Sequence, residues 1–202
     1  MVAAVRARRP EVDVRLASVE LVPPDVETAL GAVPADRQVV VVPLLLSPGY
    51  HDRVDIPAAV DAARPDAVRA RVLGPDPLLA VALADRLAEA GWRPGDAVVL
   101  AAAGSSDPGA VASVHDQAAL LAAELGERVS VGFGSAAEPD VAAAVAAARG
   151  AGAGRVAVAP YLLAPGHFAA RLQEAGADLV AAPLGAHYAV VDLVLRRFDE
   201  HS

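Results

Sequence analysis

The sequence predicts an α/β fold in which short parallel strands alternate with helices, and three observations support this prediction. Apolar runs without polar alternation end at Pro or Gly, as is typical of strands covered on both faces of a parallel sheet. Ala-rich segments with helical spacing lie between these runs. Three ordered segment matches, 111 to 117 residues apart, indicate that the chain contains two similar halves.

The predicted elements follow one another in a regular order. Apolar runs predict strands at 12–21, 39–42, 97–103, 129–133 and 155–159. Helical spacing predicts helices at 25–33, 76–90, 109–125, 139–149 and 186–200. Helix starts are marked by Pro24-Asp25 and Pro139-Asp140, and helix ends by Gly91 and Gly126. Strand–helix–strand connections of this kind are right-handed, so the strands of each sheet should be parallel.

Composition excludes several classes of protein. Hydrophobic residues make up 55% of the 202 residues, which argues against global disorder. The net charge of −8, with acidic residues spread along the chain, argues against a nucleic-acid partner. The absence of Cys excludes disulfides, thiolate metal sites and thiol catalysis. The longest apolar runs are too short to span a membrane and no signal core follows Met1, so we expect a cytoplasmic chain without a membrane partner.

The repeat is carried by particular strings. Val39–Gly49, VVVVPLLLSPG, aligns with Val156–Gly166, VAVAPYLLAPG. Further matches pair Pro24-Asp25-Val26 with Pro139-Asp140-Val141, Leu73–Pro77 with Leu184–Tyr188, and Arg86 with Arg197. We predict one half at 1–93 and another at 94–202. A cleft between two such halves, at the carboxyl ends of the strands, is the expected ligand site.

The repeat also shows a gap in the first half. Met1 corresponds to residue 116, so the counterparts of residues 97–115, a strand, a turn and a helix start, are missing. The first strand of a doubly wound sheet is often central, and its absence leaves unpaired edges. We expect either that the true start lies upstream or that another strand fills the space.

One string carries a family resemblance. Pro43–His51, PLLLSPGYH, followed by Asp55-Ile-Pro57, resembles the class II chelatases, which insert iron, cobalt or nickel into sirohydrochlorin-type tetrapyrroles. Pro160–Gly166 and Pro183–His187 resemble a degenerate copy of the same pattern. The resemblance implies two similar flavodoxin-like halves with parallel sheets, the first lacking its first strand, and a metal site on loops at the strand ends.

The resemblance also implies the site residues. Family members hold the metal with a His after the first strand, a Glu after the second and a His after the third. Carried over to this sequence, the Glu is Glu20 and the second His is His51, whereas the first His has no counterpart. The corresponding positions of the second half are Ala103, Ser135 and Phe168, which imply that this half has no site.

The chemistry of these two side chains agrees with that role. A neutral imidazole, with a pKa of about 6.5 in unperturbed peptides, can bind a divalent ion and accept a pyrrole proton. A nearby carboxylate adds negative charge and can relay a proton. Imidazole and carboxylate together suit iron, cobalt, nickel or zinc. The alternative is that His51 is an ordinary exposed loop residue.

Other polar residues are weaker candidates. Sirohydrochlorin-like substrates carry carboxylates, so Arg53 and His167 are candidate substrate-binding residues, although either could be an ordinary surface residue. Arg171 occupies the stretch of the second half that corresponds to Arg53. His187 is expected to cap a helix or to be exposed, and His115 to be a solvated helix residue.

The predicted function is therefore that of a metal chelatase of sirohaem or cobalamin biosynthesis. Catalysis and metal binding are assigned to His51 and Glu20, with Fe2+, Co2+ or Ni2+ as a substrate and no organic cofactor. The expected partner is a tetrapyrrole, and a homo-oligomer is a further possibility. A non-catalytic tetrapyrrole- or metal-binding protein with an incomplete site is the alternative, and a fragment with a misplaced start is a third interpretation.

Overall fold

A computed structural model describes residues 1–19 and 22–202 of the chain. Its internal contacts divide the chain into two units. The first unit contains Met1–Leu73 and Val191–Ser202, and the second contains Gly74–Val190. Within the described residues, no helix is both long and apolar enough to cross a membrane.

The first unit contains short elements around a small aliphatic core. Its elements are α1 (Val2–Arg8), α2 (Val26–Gly31), β1 (Val40–Val41), a π-helical turn (His51–Asp55), α3 (Ile56–Ala63) and β2 (Val68–Arg69). β1 pairs with β2 in parallel, with Val40 opposite Val68. Leu30, Ile56 and Val60 form the buried cluster that holds α2 and α3 together.

The second unit contains a more complete sheet. Its elements are α4 (Pro77–Glu89), β3 (Ala97–Ala102), α5 (Pro108–Leu125), β4 (Val129–Phe133), α6 (Val141–Gly150), β5 (Val156–Tyr161), α7 (His167–Leu172) and β6 (Leu179–Val180). The four strands are parallel and lie in the order β4-β3-β5-β6. A last helix, α8 (Tyr188–Asp199), begins in this unit, and from Val191 onward its residues belong to the first.

The predicted α/β class with parallel sheets is confirmed, with two strands in one sheet and four in the other. The prediction of a strand over 12–21 is not met in its described part, where the structure has only an isolated bridge between Ser18 and Asp25. The corresponding bridge of the second unit joins Phe133, the last residue of β4, to Asp140. β4 is a full strand because β3 pairs with it, whereas the described residues of the first unit contain no counterpart of β3.

The contact units do not follow the repeat boundary predicted between residues 93 and 94. The helix α4 precedes that boundary, yet it packs against α5 and β5 in the second unit. Most of α8 lies with the first unit in the same way. The halves 1–93 and 94–202 therefore remain a prediction about the sequence repeat, and each half contributes its last helix to the other contact unit.

Two arginines, Arg197 and the half-buried Arg86, explain one of the repeat matches. The Arg197 guanidinium is fully buried and donates to the carbonyls of Val72 and Leu73 at 3.1 and 2.9 Å. Arg86, its counterpart, donates to the carbonyl of Leu184 at 3.1 Å. Each arginine satisfies backbone acceptors in the Leu-Gly string of its own contact unit, so the match reflects a structural role.

Candidate functional site

His51 lies in the loop region that follows β1, at the first residue of the π-helical turn that leads into α3. Its Nδ1 is 2.6 Å from Oδ2 of Asp55, four residues later on the same turn. The His51 side chain is 45% exposed and that of Asp55 is 29% exposed. When Nδ1 donates a hydrogen bond to the Asp55 carboxylate, the Nε2 lone pair of a neutral imidazole is available to a metal ion or a proton.

The surroundings of His51 are open. The exposed ring of Tyr50 lies edge-on to the imidazole, with ring centroids 6.4 Å apart. The buried side chain of Ile56 anchors the start of α3 behind this turn. An imidazole that is nearly half exposed can be reached by a large planar substrate as well as by a hydrated ion.

Of the other two residues predicted for the site in the first half, the structure describes only Arg53. Glu20 lies outside the described residues. Arg53 is exposed and lies on the same turn as His51, where its backbone N–H donates to the carbonyl of Gly49 at 3.0 Å. Residues two apart on a helical turn point to different sides, so Arg53 does not share a face with His51.

The second unit shows where the corresponding strand ends meet. Ser135 Oγ donates to the carbonyl of Ala103 at 3.1 Å, and the Gly134 N–H donates to the carbonyl of Ala102 at 2.8 Å. The ring of Phe168 packs so closely over Gly134 that a Cβ there would lie 2.7 Å from the ring. The three positions expected to correspond to metal ligands therefore converge, and here they carry methyl, hydroxyl and phenyl groups.

A small cavity lies at this site in the second unit. It has a volume of about 220 Å³ and is lined by Phe168, Arg171 and the ends of β3 and β4. His167 is exposed beside Phe168, with ring centroids 6.2 Å apart. No histidine lines this cavity, whereas Asp140 and Glu174 do, and the expectation of a second half without a metal site stays a prediction.

The remaining histidines behave as expected. His187 Nδ1 accepts from the Ala189 N–H at 3.4 Å at the start of α8, which confirms the capping prediction. The side chain is buried, and its Nε2 lies 3.2 Å from Asp85. His115 is exposed on α5, as predicted. Across the described part of the chain, no group of three or more His, Cys, Asp or Glu residues is arranged to hold a metal ion.

Comparison with known proteins identifies the family. The model of the CbiX family matches residues 1–90 and 97–201. The chain belongs to the CbiX family. No curated protein matches this CbiX-family chain.

Several solved structures share the fold of this CbiX-family chain. SirB from Bacillus subtilis with Fe3+ is 24% identical with a TM-score of 0.84, and the match covers 98% of this chain and 86% of that one. SirB from Bacillus subtilis subspecies spizizenii in complex with cobalt is 24% identical with a TM-score of 0.77, over the same shares. CbiX, the terminal enzyme for biosynthesis of siroheme in denitrifying bacteria, is 23% identical with a TM-score of 0.74, and the match covers 100% of this chain and 89% of that one.

The sequence interpretation did not assign a role to Asp55, although this residue belongs to the string that carried the resemblance. The spacing His51-x-x-x-Asp55 was the available signal, because side chains four residues apart meet on a helical turn. It was missed because the residues before α3 were interpreted as a loop.

Proposed function

We propose that this CbiX-family chain is a metal chelatase that inserts Fe2+ or Co2+, with Ni2+ as a further candidate, into sirohydrochlorin or a related tetrapyrrole. The observation that carries the proposal is the partly exposed imidazole of His51, whose Nδ1 is 2.6 Å from Oδ2 of Asp55. Similarity to SirB and CbiX structures supports the same reaction class.

The reaction exchanges two protons for one metal ion. Two pyrrole N–H groups lose their protons, the four ring nitrogens bind the divalent ion, and two protons pass to bases or water. In this proposal His51 presents the ion through Nε2 and, once the ion has moved to the ring, accepts one proton at the same atom. Glu20 is proposed as the second ligand or as acceptor of the other proton.

Asp55 performs a positioning task in this scheme. By accepting from Nδ1 it selects the tautomer in which Nε2 is unprotonated, and it stabilises the imidazolium that forms when Nε2 takes up a proton. Imidazole and carboxylate oxygen suit iron, cobalt and nickel while binding them weakly enough to allow release. No organic cofactor takes part in the proposed reaction.

Arg53 and His167 are proposed as contacts for substrate carboxylates. Both side chains are exposed, as contacts to a large anionic ligand require. The proposal includes a tetrapyrrole as partner, no nucleic-acid partner, a cytoplasmic location and a possible homo-oligomer.

The test is metal insertion by the purified chain under anaerobic conditions. Sirohydrochlorin is mixed with Co2+ or Fe2+, and its absorbance change is followed with and without protein. Many turnovers per chain above the spontaneous rate support the chelatase. Stoichiometric tight binding without turnover would contradict it and favour a carrier.

A further inference from the structure

The turn that carries His51 also carries two exposed apolar side chains. Six large apolar side chains are exposed in the described part of the chain, and two of them, Tyr50 and Val54, belong to this turn. Tyr50 is 68% exposed and Val54 is 43% exposed. Apolar residues exposed singly are ordinary, whereas neighbouring ones are one mark of a binding surface. We call these two side chains the Tyr50–Val54 patch.

The local backbone places the patch directly beside the imidazole. Tyr50 precedes the π-helical turn with helical backbone angles, φ −58° and ψ −47°. Residues four apart on a helical turn are neighbours, so Tyr50 and Val54 form one pair and His51 and Asp55 form the next pair around the turn. The edge-on contact of the Tyr50 and His51 rings, with centroids 6.4 Å apart, joins the two pairs into one surface.

The hydrophobic core of the first unit does not explain the patch. Leu30, Ile56 and Val60 form the buried cluster of that unit. Among the described residues that pack on this cluster, neither Tyr50 nor Val54 is present. Burial of Ile56 already anchors the turn, so the two exposed apolar side chains are available for contact with another molecule.

The corresponding stretch of the second unit is polar at both patch positions. The repeat that aligns residues 39–49 with 156–166 gives Tyr50, His51 and Val54 the counterparts His167, Phe168 and Arg171. Both units place two rings edge-on here, with centroids 6.4 and 6.2 Å apart. The half with an imidazole at the expected ligand position therefore has apolar neighbours, whereas the half with a phenyl ring has an imidazole and a guanidinium. The apolar character accompanies the candidate metal ligand rather than the fold.

We propose that the Tyr50–Val54 patch binds one face of the tetrapyrrole ring and positions it at His51, an inference that rests on the proposed chelatase function. A tetrapyrrole is a broad planar π-system with its carboxylates at the rim, so its face requires apolar and aromatic contacts. Because the Tyr50 and His51 rings are neighbours, one macrocycle is wide enough to contact both. A hydrated metal ion gains nothing from apolar side chains, so the patch acts on binding of the ring and not on binding of the ion.

The test measures binding of metal-free sirohydrochlorin to the full-length chain by equilibrium dialysis, which requires no turnover. Tyr50→Ser should raise the Kd for sirohydrochlorin about tenfold, because stacking of a planar ring on one aromatic side chain contributes roughly that factor. Val54→Ser should raise it less, since the side chain is smaller. Tyr50→Phe, which keeps the ring, should bind as wild type does. Tyr188→Ser is the matched control, because it removes a tyrosine that is 56% exposed at the start of α8.

Titration with Co2+ alone separates a contact with the ring from an effect on the turn. The Kd for Co2+ should stay within about twofold of wild type in Tyr50→Ser, and a tenfold loss there would overturn the proposal. Unchanged sirohydrochlorin binding in Tyr50→Ser, or an equal loss in Tyr50→Phe or Tyr188→Ser, would also overturn it. Turnover that does not depend on Tyr50 would refute the patch alone, whereas patch-dependent binding without turnover would refute the chelatase function alone.

Discussion

Replacing Asp55 by Asn should weaken metal binding at His51 while leaving the first unit folded. His51 Nδ1 lies 2.6 Å from Oδ2 of Asp55, and the tautomer that donates from Nδ1 to this carboxylate leaves Nε2 unprotonated. The Asn amide removes the negative charge and can turn its NH₂ group toward Nδ1, which favours the tautomer with a proton on Nε2. That tautomer cannot bind a metal ion through Nε2.

The size of the effect follows from the exposure of the pair. Removing a hydrogen-bond partner of a metal-binding histidine lowers metal affinity or activity by about 10–100-fold. Both side chains here are partly exposed, at 45% and 29%, so water replaces part of the lost interaction. We therefore expect a loss at the lower end, about tenfold in Kd for Co2+, or about 1.4 kcal/mol.

Isothermal titration with Co2+ measures the affinity, and initial rates of cobalt insertion give kcat/KM. Asp52→Asn is the matched control, because it removes the same charge from the neighbouring position, where no hydrogen bond to His51 is recorded. Equal losses in both variants would show that only net charge matters. Unchanged affinity in Asp55→Asn would refute the assigned role of the pair.

Three further outcomes concern stability, measured by chemical denaturation. Arg64→Met should lower the free energy of unfolding by about 3 kcal/mol, because the buried guanidinium donates to four carbonyls in residues 33–37. Arg197→Met, which leaves two carbonyls without a donor, should cost more than Arg86→Met, which leaves one. The hydrogen bond from the Val156 N–H lowers the pKa of the Asp178 carboxyl below its unfolded value of 3.8. The ionised carboxylate therefore stabilises the fold fully above pH 3.8, and this contribution is lost as the pH falls through the lowered pKa. The difference in free energy of unfolding between wild type and Asp178→Asn should shrink over that range.

The long elements could be predicted from sequence because local patterns determine them. The strand at 129–133 and the helix at 109–125 agree with β4 and α5 to within one residue. β2 and β6 have two residues each and were not predicted, since their pairing depends on tertiary neighbours rather than on a run of apolar residues.

The segment 12–17 was predicted to be part of a strand and does not form one. Its composition suits a strand, and its counterpart β4 is one, yet it remains extended without ladder pairing in the structure. A strand is defined by its partner, and the described residues of the first unit provide none for this segment. The repeat predicted that residues 1–93 contain no counterpart of β3, but a local pattern could not show the effect on the neighbouring segment.

The site was predicted in part. The sequence identified His51 through its string, and the structure adds Asp55, whose contact arises only because residues 51–55 form a helical turn. The place of Glu20 in the site stays a prediction. Arg53 was selected by its nearness in sequence, which does not determine the face of the turn on which a side chain lies.

The most direct test of the account compares cobalt insertion by two variants, His51→Ala and Ser135→Ala. Ser135 is the residue of the second half that corresponds to Glu20. The account predicts a loss in kcat/KM on the order of 100-fold or more for His51→Ala, with a nearly unchanged Tm because the side chain is half exposed. Ser135→Ala should stay within about twofold of wild type, since a single exposed hydroxyl lost from a surface loop has little effect. An active His51→Ala enzyme, or equal losses in both variants, would contradict a metal site in the first half.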